Sequence, residues 1–319
     1  NLSANQSQFG SAGELARWEY QIGLTALPGF NVIAGIDLER EVNGNDERDN
    51  SGLYAEVLSD FSDRWFVTAG LRQDDNDDFG EFTSYRVSSA YLVDMGANLL
   101  KLKAAVGRGF RAPSLYEIGY NLGPFASAPA AGLALRAEQS SGIEAGFEFT
   151  AQRVAVEVVA FRQDVEEAID FDLAGYSGYL QFAGSNRSEG IEVIGRAQLS
   201  AQLSATANVT LNNTRRANGL QRLRRPKQLY NVGLNYATAS QKLRINAFYR
   251  RSQSAIDEVA GTLVALDDFG VLDLNASYML TDGIEIILRF ENAADASYRE
   301  VADYRSAQRG AFVGIRLSL

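Results

Sequence analysis

Apolar and polar residues alternate one for one along much of the chain, and windows with the 3.6-residue period of a helix are scarce. In LSATANVTLN, Leu203, Ala205, Ala207, Val209 and Leu211 fall on one face, and Ser204, Thr206, Asn208, Thr210 and Asn212 on the other. That is the period-2 pattern of a strand lying between an apolar and a polar medium. In LDLNASYML, Leu272, Leu274, Ala276, Tyr278 and Leu280 oppose Asp273, Asn275, Ser277 and Met279. In IEIILRF, Ile284, Ile286, Leu288 and Phe290 oppose Glu285, Ile287 and Arg289. The last stretch, GAFVGIRLSL, sets Val313, Ile315, Leu317 and Leu319 against Gly314, Arg316 and Ser318. The pattern predicts about sixteen strands, most of about ten residues or more, where strands of soluble domains run to about five or six.

The connections are unequal. Short ones at 27–29, 62–64, 151–153 and 281–283 alternate with long polar ones at 43–50, 74–81, 112–137, 218–226 and 252–267. Long alternating strands with short turns at one end and long loops at the other predict an all-β fold: a transmembrane antiparallel up-and-down β-barrel. A soluble two-sheet sandwich shares the alternation but requires neither the strand length nor the asymmetry of the turns. Lys242, Arg244, Arg250, Glu285 and Arg289 belong on the polar, lumen-facing side, because Arg or Lys at the lipid midplane costs about 2–4 kcal/mol. On this scheme Leu274→Arg impairs assembly and Asn275→Arg is tolerated.

The chain has 319 residues, 46% of them hydrophobic, yet no window approaches eighteen consecutive apolar positions, so no transmembrane helix is encoded. With 30 Lys+Arg against 40 Asp+Glu the net charge is −10, which argues against a nucleic-acid partner. Cysteine and histidine are absent, which removes disulfides, thiolate and imidazole metal ligands, and catalysis built on either residue. No cofactor is required. The one metal the sequence suggests is Ca²⁺, held by oxygen: Asp74, Asp75, Asp77, Asp78 and Glu81 lie close together in DDNDDFGE, although Gly80 stands one place late for an EF-hand loop. The alternative for this segment is a solvated acidic loop. No nucleophile, base and orienting group occur together, so an enzyme is not expected. The chain opens on NLSANQSQFG, with neither an initiator Met nor a signal-peptide pattern, as a processed chain or a piece of a longer one does.

The segment GRGFRAPSLYEI (107–118), followed by LRAEQSSGIEAGFEF, resembles the signature of TonB-dependent outer-membrane receptors. RLRRPKQLYNVGLNY (222–236) is similar to that family's basic loop leading into a strand, and the segment from 269 to 319 is similar to its last three strands. FRQDVEEAIDFD (161–172) and the RLRR-P-KQ pattern look most like the vitamin B12 (cobalamin) branch, with siderophore receptors as near relatives. Departures are Ala-Gly-Leu-Ala at 131–134 in place of the usual Gly-Asn-Pro, Asn292-Ala293-Ala294-Asp295 in place of Asn-Leu-Phe-Asp, and Leu319 where an aromatic usually ends the chain. The resemblance implies a plugged barrel of about 22 strands, of which residues 1–319 are the C-terminal portion, without the plug domain, the TonB box and roughly six strands.

It also implies a function: capture of a scarce metal chelate, cobalamin or a ferric siderophore, at the extracellular loops, and import with energy from the TonB–ExbB–ExbD complex acting through the plug. Outer-membrane lipid and lipopolysaccharide are the surrounding partners. The strand at 98–111 then reaches the outer rim, where Pro113 stops it and 112–137 forms an extracellular loop. Arg108, Phe110, Arg111, Tyr116 and Tyr120 are candidates for shaping the rim that captures ligand; the other reading is that Phe110, Arg111 and Pro113 pin the loop to the wall. Arg222, Arg224 and Arg225, within a basic run that includes Arg215, Arg216 and Lys227, are candidates for an anionic ligand or lipopolysaccharide phosphate, or else pair with acidic loops. Two other functions fit the pattern: a passive porin-like channel, and a surface docking protein for phage, toxin or lipoprotein.

Overall fold

The structure, a computed structural model, describes residues 13 to 318, so Leu319 of the closing strand lies outside it. The strands of the first half are β1 (Gly13–Leu27), β2 (Phe30–Asn43), β3 (Asp46–Phe61), β4 (Trp65–Asn76), β5 (Gly80–Met95) and β6 (Asn98–Arg111). Helix α1 (Leu115–Leu122) then precedes β7 (Glu138–Thr150), β8 (Val154–Glu166), β9 (Ile169–Phe171), β10 (Tyr179–Gln181), β11 (Ser185–Gln198) and β12 (Leu203–Arg215). The chain continues through β13 (Gln228–Ala237), β14 (Leu243–Gln253), β15 (Ile256–Val259), β16 (Thr262–Ala265), β17 (Phe269–Thr281), β18 (Ile284–Glu291) and β19 (Gly310–Leu317). Fifteen of these strands form one sheet in chain order, and β9–β10 and β15–β16 are separate hairpins within long connections. By contacts the chain divides into two compact units, one of residues up to Ala90 with Ala105–Ile143 and Asp164–Asn186, the other of Tyr91–Ala104, Glu144–Gln163 and Arg187 onward.

Pairing keeps the alternation in phase from strand to strand. In the second unit Ala207 lies opposite Val232, and Val209 opposite Tyr230, while Asn208 faces Asn231 and receives a 2.5 Å hydrogen bond from its side-chain amide. Likewise Leu274 pairs with Ala247 and Phe290, and Asn275 with Asn246 and Arg289. In the first unit Tyr20, Ile36 and Leu53 make a row on one face, with Glu19, Asp37 and Gly52 beside them on the other. A one-residue slip would invert every such row, so the two faces lock the register.

Large apolar side chains stand exposed all along one face, with Trp18 at 81% and Val313 at 76%, an arrangement that water penalises and a hydrocarbon medium does not. Strands of 15 or 16 residues, such as β1, β3 and β5, exceed the roughly ten needed to cross a bilayer with tilt. No helix among the described residues is long and apolar enough to cross a membrane. The buried apolar residues gather instead around the connections: Leu115, Ala130, Leu135 and Ile169 in the first unit, Leu266, Phe269 and Val271 in the second.

The short turns fall where the sequence places them, between Leu27 and Phe30, Phe61 and Trp65, Thr150 and Val154, and Thr281 and Ile284. Two expected long loops do not form. Residues 43–50 are a tight hairpin around Gly44 (φ 66°), because their charges pair across the strands: Arg40 holds Asp49 through two 2.7 Å bonds, and Arg48 holds Glu41 at 2.5 Å. At 74–81 the strand runs on to Asn76 and resumes at Gly80. Charge density predicts loops at both places, but cross-strand ion pairs extend the ladder instead.

Candidate functional site

In the first unit the connection after β6 is built from its anchors outward. Ser114 caps α1: its hydroxyl accepts from the Glu117 amide at 3.2 Å, and the Glu117 carboxylate accepts from the Ser114 amide at 2.7 Å, a reciprocal capping box. Arg111 donates to Glu138 at 2.5 Å and to Glu117 at 2.9 Å, while the other Glu138 oxygen accepts from the Ile169 amide at 2.6 Å. One arginine and two carboxylates thus tie β6, α1, β7 and β9 together. Arg48 reaches in to donate to the buried Pro113 carbonyl at 2.7 Å, and Phe110 stacks on Phe82 with centroids 4.2 Å apart. Phe110, Arg111 and Pro113 therefore serve as loop anchors, and Arg108 donates to Gln139.

On this base α1 meets the β9–β10 hairpin. Asn121, 1% exposed, donates to the Tyr179 carbonyl at 2.8 Å and accepts from its amide at 2.9 Å, so a side-chain amide takes the place of a paired strand. Gly178 is required at φ 138°, where a Cβ would lie 2.7 Å from the Asn121 oxygen. Tyr116, Tyr120, Phe171, Tyr176 and Tyr179 consequently converge, with centroid separations from 5.3 to 6.3 Å and mostly edge-to-face geometry, an aromatic cluster in which Tyr176 is exposed and the other four rings are half-buried. The hairpin turn is held by Asp172, whose carboxyl stays below the usual range because it accepts from the Gly175 amide and the Ser177 hydroxyl.

The polar face of β1–β4 carries a separate network. Arg72 bridges Asp37 and Asp74 with bonds of 2.5 Å to each, lies over the Tyr54 ring at 5.9 Å, and occupies the space that a Cβ on Gly52 would fill. Tyr54 in turn donates to Glu19 at 2.7 Å. Asp74, the first of the proposed calcium donors, thus faces Arg72, whereas Asp75 is exposed on the opposite side of the strand. Asp77 accepts from the Asp49 amide at 3.4 Å, and Asp78 lies 3.9 Å from Arg48. Glu81 accepts from Gln73. Among the described residues no three acidic side chains form a group able to hold a metal, so the geometry lends the calcium expectation no support.

In the second unit a cleft of about 240 Å³ opens among the connections after β12, β14 and β18. Its charged lining is Arg224, Arg250, Arg299, Asp267 and Glu300. Arg224 holds Asp257 at 2.8 Å, and the same fully buried carboxylate accepts from the Ala302 amide at 2.7 Å. Burial pushes the Asp257 carboxyl up, but the Ala302 and Glu258 amides and the Arg224 guanidinium together outweigh it and hold the group below the usual carboxylate range. Of the three sequence candidates here, Arg224 lines the cleft, while Arg222 donates its amide to Thr214 and Arg225 gives its carbonyl to Gln221. Arg216 approaches Glu258 at 3.7 Å, so Arg216 and Arg224 pair with acids of the β15–β16 hairpin.

Phe171, Tyr176, Tyr179, Tyr298 and Arg299 are not singled out by the sequence. The aromatic–Gly–Ser run YSGY at 176–179 is the available signal for the first group; the segment between β18 and β19 offers no periodicity to read.

Long antiparallel strands with exposed apolar side chains, and buried residues gathered under long connections, are the pattern of an outer-membrane β-barrel. The chain belongs to the TonB-dependent receptor-like β-barrel family, which it matches over residues 1–293, and its place is the bacterial outer membrane. It is 24% identical over 307 residues to the vitamin B12 transporter BtuB of Photobacterium profundum, covering 92% of this chain and 48% of that protein. With the vitamin B12 transporter BtuB of Vibrio cholerae serotype O1 it shares 22% over 297 residues, covering 90% and 46%. The chain spans about half the length of these curated relatives. Among solved structures, the copper transporter OprC superposes with a TM-score of 0.78 at 15% identity, over 96% of this chain and 56% of that one. The siderophore receptor PirA from Pseudomonas aeruginosa gives 0.73 at 21%, over 96% and 55%. These superpositions establish a common fold.

Proposed function

We propose that this chain forms barrel wall and ligand-capturing rim of an outer-membrane import receptor, which binds a scarce metal chelate outside the cell and admits it with energy supplied through TonB. The observation that carries the reading is the convergence of Tyr116, Tyr120, Phe171, Tyr176 and Tyr179 on one anchored connection, within a family of transport receptors. Clustered aromatic rings suit a large, partly apolar chelate. A corrinoid is the first candidate, since relatives aligned over most of this chain are vitamin B12 transporters; ferric siderophores are the second. The energy-transducing partner is the TonB–ExbB–ExbD complex, acting through the plug of the whole receptor. Lipid contacts the apolar face, and lipopolysaccharide phosphate meets exposed basic residues such as Arg225 and Lys227.

Titration of the purified native polypeptide with cyanocobalamin and with ferric siderophores, followed by tyrosine fluorescence, tests the reading. Saturable binding of one of them is expected, and Tyr120→Ala weakens it about tenfold, the ~1.4 kcal/mol scale of one lost aromatic contact. Equal affinity in the wild type and in both Tyr116→Ala and Tyr120→Ala removes the aromatic surface from the account.

A further inference from the structure

The cleft of the second unit does not suit the cargo of the import reading. At about 240 Å³ it is below the ~300–1,000 Å³ of pockets that enclose drug-sized ligands. That volume is nearer the size of a single amino acid than of a metal chelate. Its walls are mainly apolar, contributed by Pro226, Leu229, Leu266 and Phe269.

The charges decide what such a body must carry. Arg224 is engaged by Asp257, and Arg250 by Glu300 at 2.6 Å while it also lies over the Phe269 and Tyr298 rings at 5.3 and 5.9 Å. Asp267 and Arg299 also line the cleft, both exposed, and among the described residues neither enters an ion pair or a side-chain hydrogen bond. One cation and one anion are left over. A simple anion would gain Arg299 but meet Asp267, and a simple cation the reverse. A ligand bearing both signs satisfies both groups, with the arginine fork suited to a carboxylate.

The frame is set before any ligand arrives. The Arg224 amide donates to Ile256 O at 2.7 Å, Leu266 N to Ala255 O at 3.0 Å, and Ser254 N to the Asp268 carboxylate at 2.8 Å. Phe269 and Tyr298 stack at 4.4 Å, fixing the segment that presents Arg299. Such preorganisation lowers the entropy cost of binding a small ligand.

We propose that this cleft binds a small zwitterion with a flat apolar body, of the chemical class of an aromatic α-amino acid, its carboxylate on Arg299 and its ammonium on Asp267. The site is independent of the import reading: it is smaller than the expected cargo and uses none of the aromatic cluster of the first unit.

The test is saturation-transfer NMR and calorimetry on the native polypeptide carrying this chain, in detergent, with three probes: phenylalanine, phenylalaninamide, which lacks the carboxylate, and N-acetylphenylalanine, which lacks the ammonium. Phenylalanine is expected to bind, each blocked form about tenfold or more weakly. Arg299→Gln should erase the preference over phenylalaninamide while keeping that over N-acetylphenylalanine, and Asp267→Asn should do the opposite; both positions are exposed, so folding is not at stake. Absence of phenylalanine binding overturns the proposal, as does a blocked form that binds as tightly, or a preference that survives both substitutions. Chelate uptake measured in parallel separates this outcome from failure of the import reading.

Discussion

Arg72 illustrates how a charge is accommodated on the polar face of the sheet. It neutralises Asp37, only 2% exposed, and Asp74, and it sits where glycine at position 52 leaves room. Arg72→Leu leaves Asp74 without its ion-pair partner and Asp37 with only Arg17, 3.9 Å away, and should lower stability to denaturant by about 3 kcal/mol, the low end for a broken buried pair, whereas adding both Asp37→Asn and Asp74→Asn should recover most of it. The facing scheme has its own residue-scale test. Asn275, proposed from sequence as a tolerant site for arginine, lies directly across from Arg289, so like charges would oppose each other there. Thr210 lies across from Glu192 and is the better choice, with Val209 as its apolar-face neighbour. Val209→Arg is expected to cost about 2–4 kcal/mol toward the bilayer midplane and to deplete the heat-resistant folded form in membranes. Thr210→Arg should leave it intact, and equal depletion would undo the assignment of faces. The alternating rows were legible because each residue reports its own medium; the partners of Arg111 and Arg224 were not, because Glu138 and Asp257 reach them only through the fold.

At the scale of elements, strands and short turns could be read from period and turn residues, since both depend on neighbours a few positions away. The S-x-x-E pattern of Ser114 and Glu117 was present too, but α1 spans only Leu115–Leu122, too short for helical periodicity to stand out inside a loop. The hairpins β9–β10 and β15–β16 consist of strands of three or four residues whose pairing is decided by side-chain clamps such as Asn121 and Asp257. The latter gives a pH prediction. Because the Asp257 carboxyl titrates in the folded protein below the free value of about 3.9, its contribution to loop order is complete above that value and is lost as pH falls through the folded one. Protection of the Ala302 amide against hydrogen exchange, corrected for intrinsic rates, should therefore persist at neutral pH and collapse in strong acid, and Asp257→Asn should reproduce the loss at neutral pH. Unchanged protection in the variant would show that the clasp holds nothing.

For the whole molecule, an exposed apolar face and long strands fix the medium, and the family match over residues 1–293 fixes the kind of protein. The barrel and its outer-membrane place were legible in the sequence because lipid imposes a repeated constraint on every strand. The ligand was not, because recognition rests on a few side chains in connections that carry no period. The aromatic cluster and the cleft differ in chemistry and should bind different molecules. The most direct test of energised import follows labelled cobalamin into cells that depend on the native polypeptide for its entry, with and without a functional TonB. Saturable uptake that disappears without TonB is the expected result. Uptake that is non-saturable and indifferent to TonB would instead describe a passive channel.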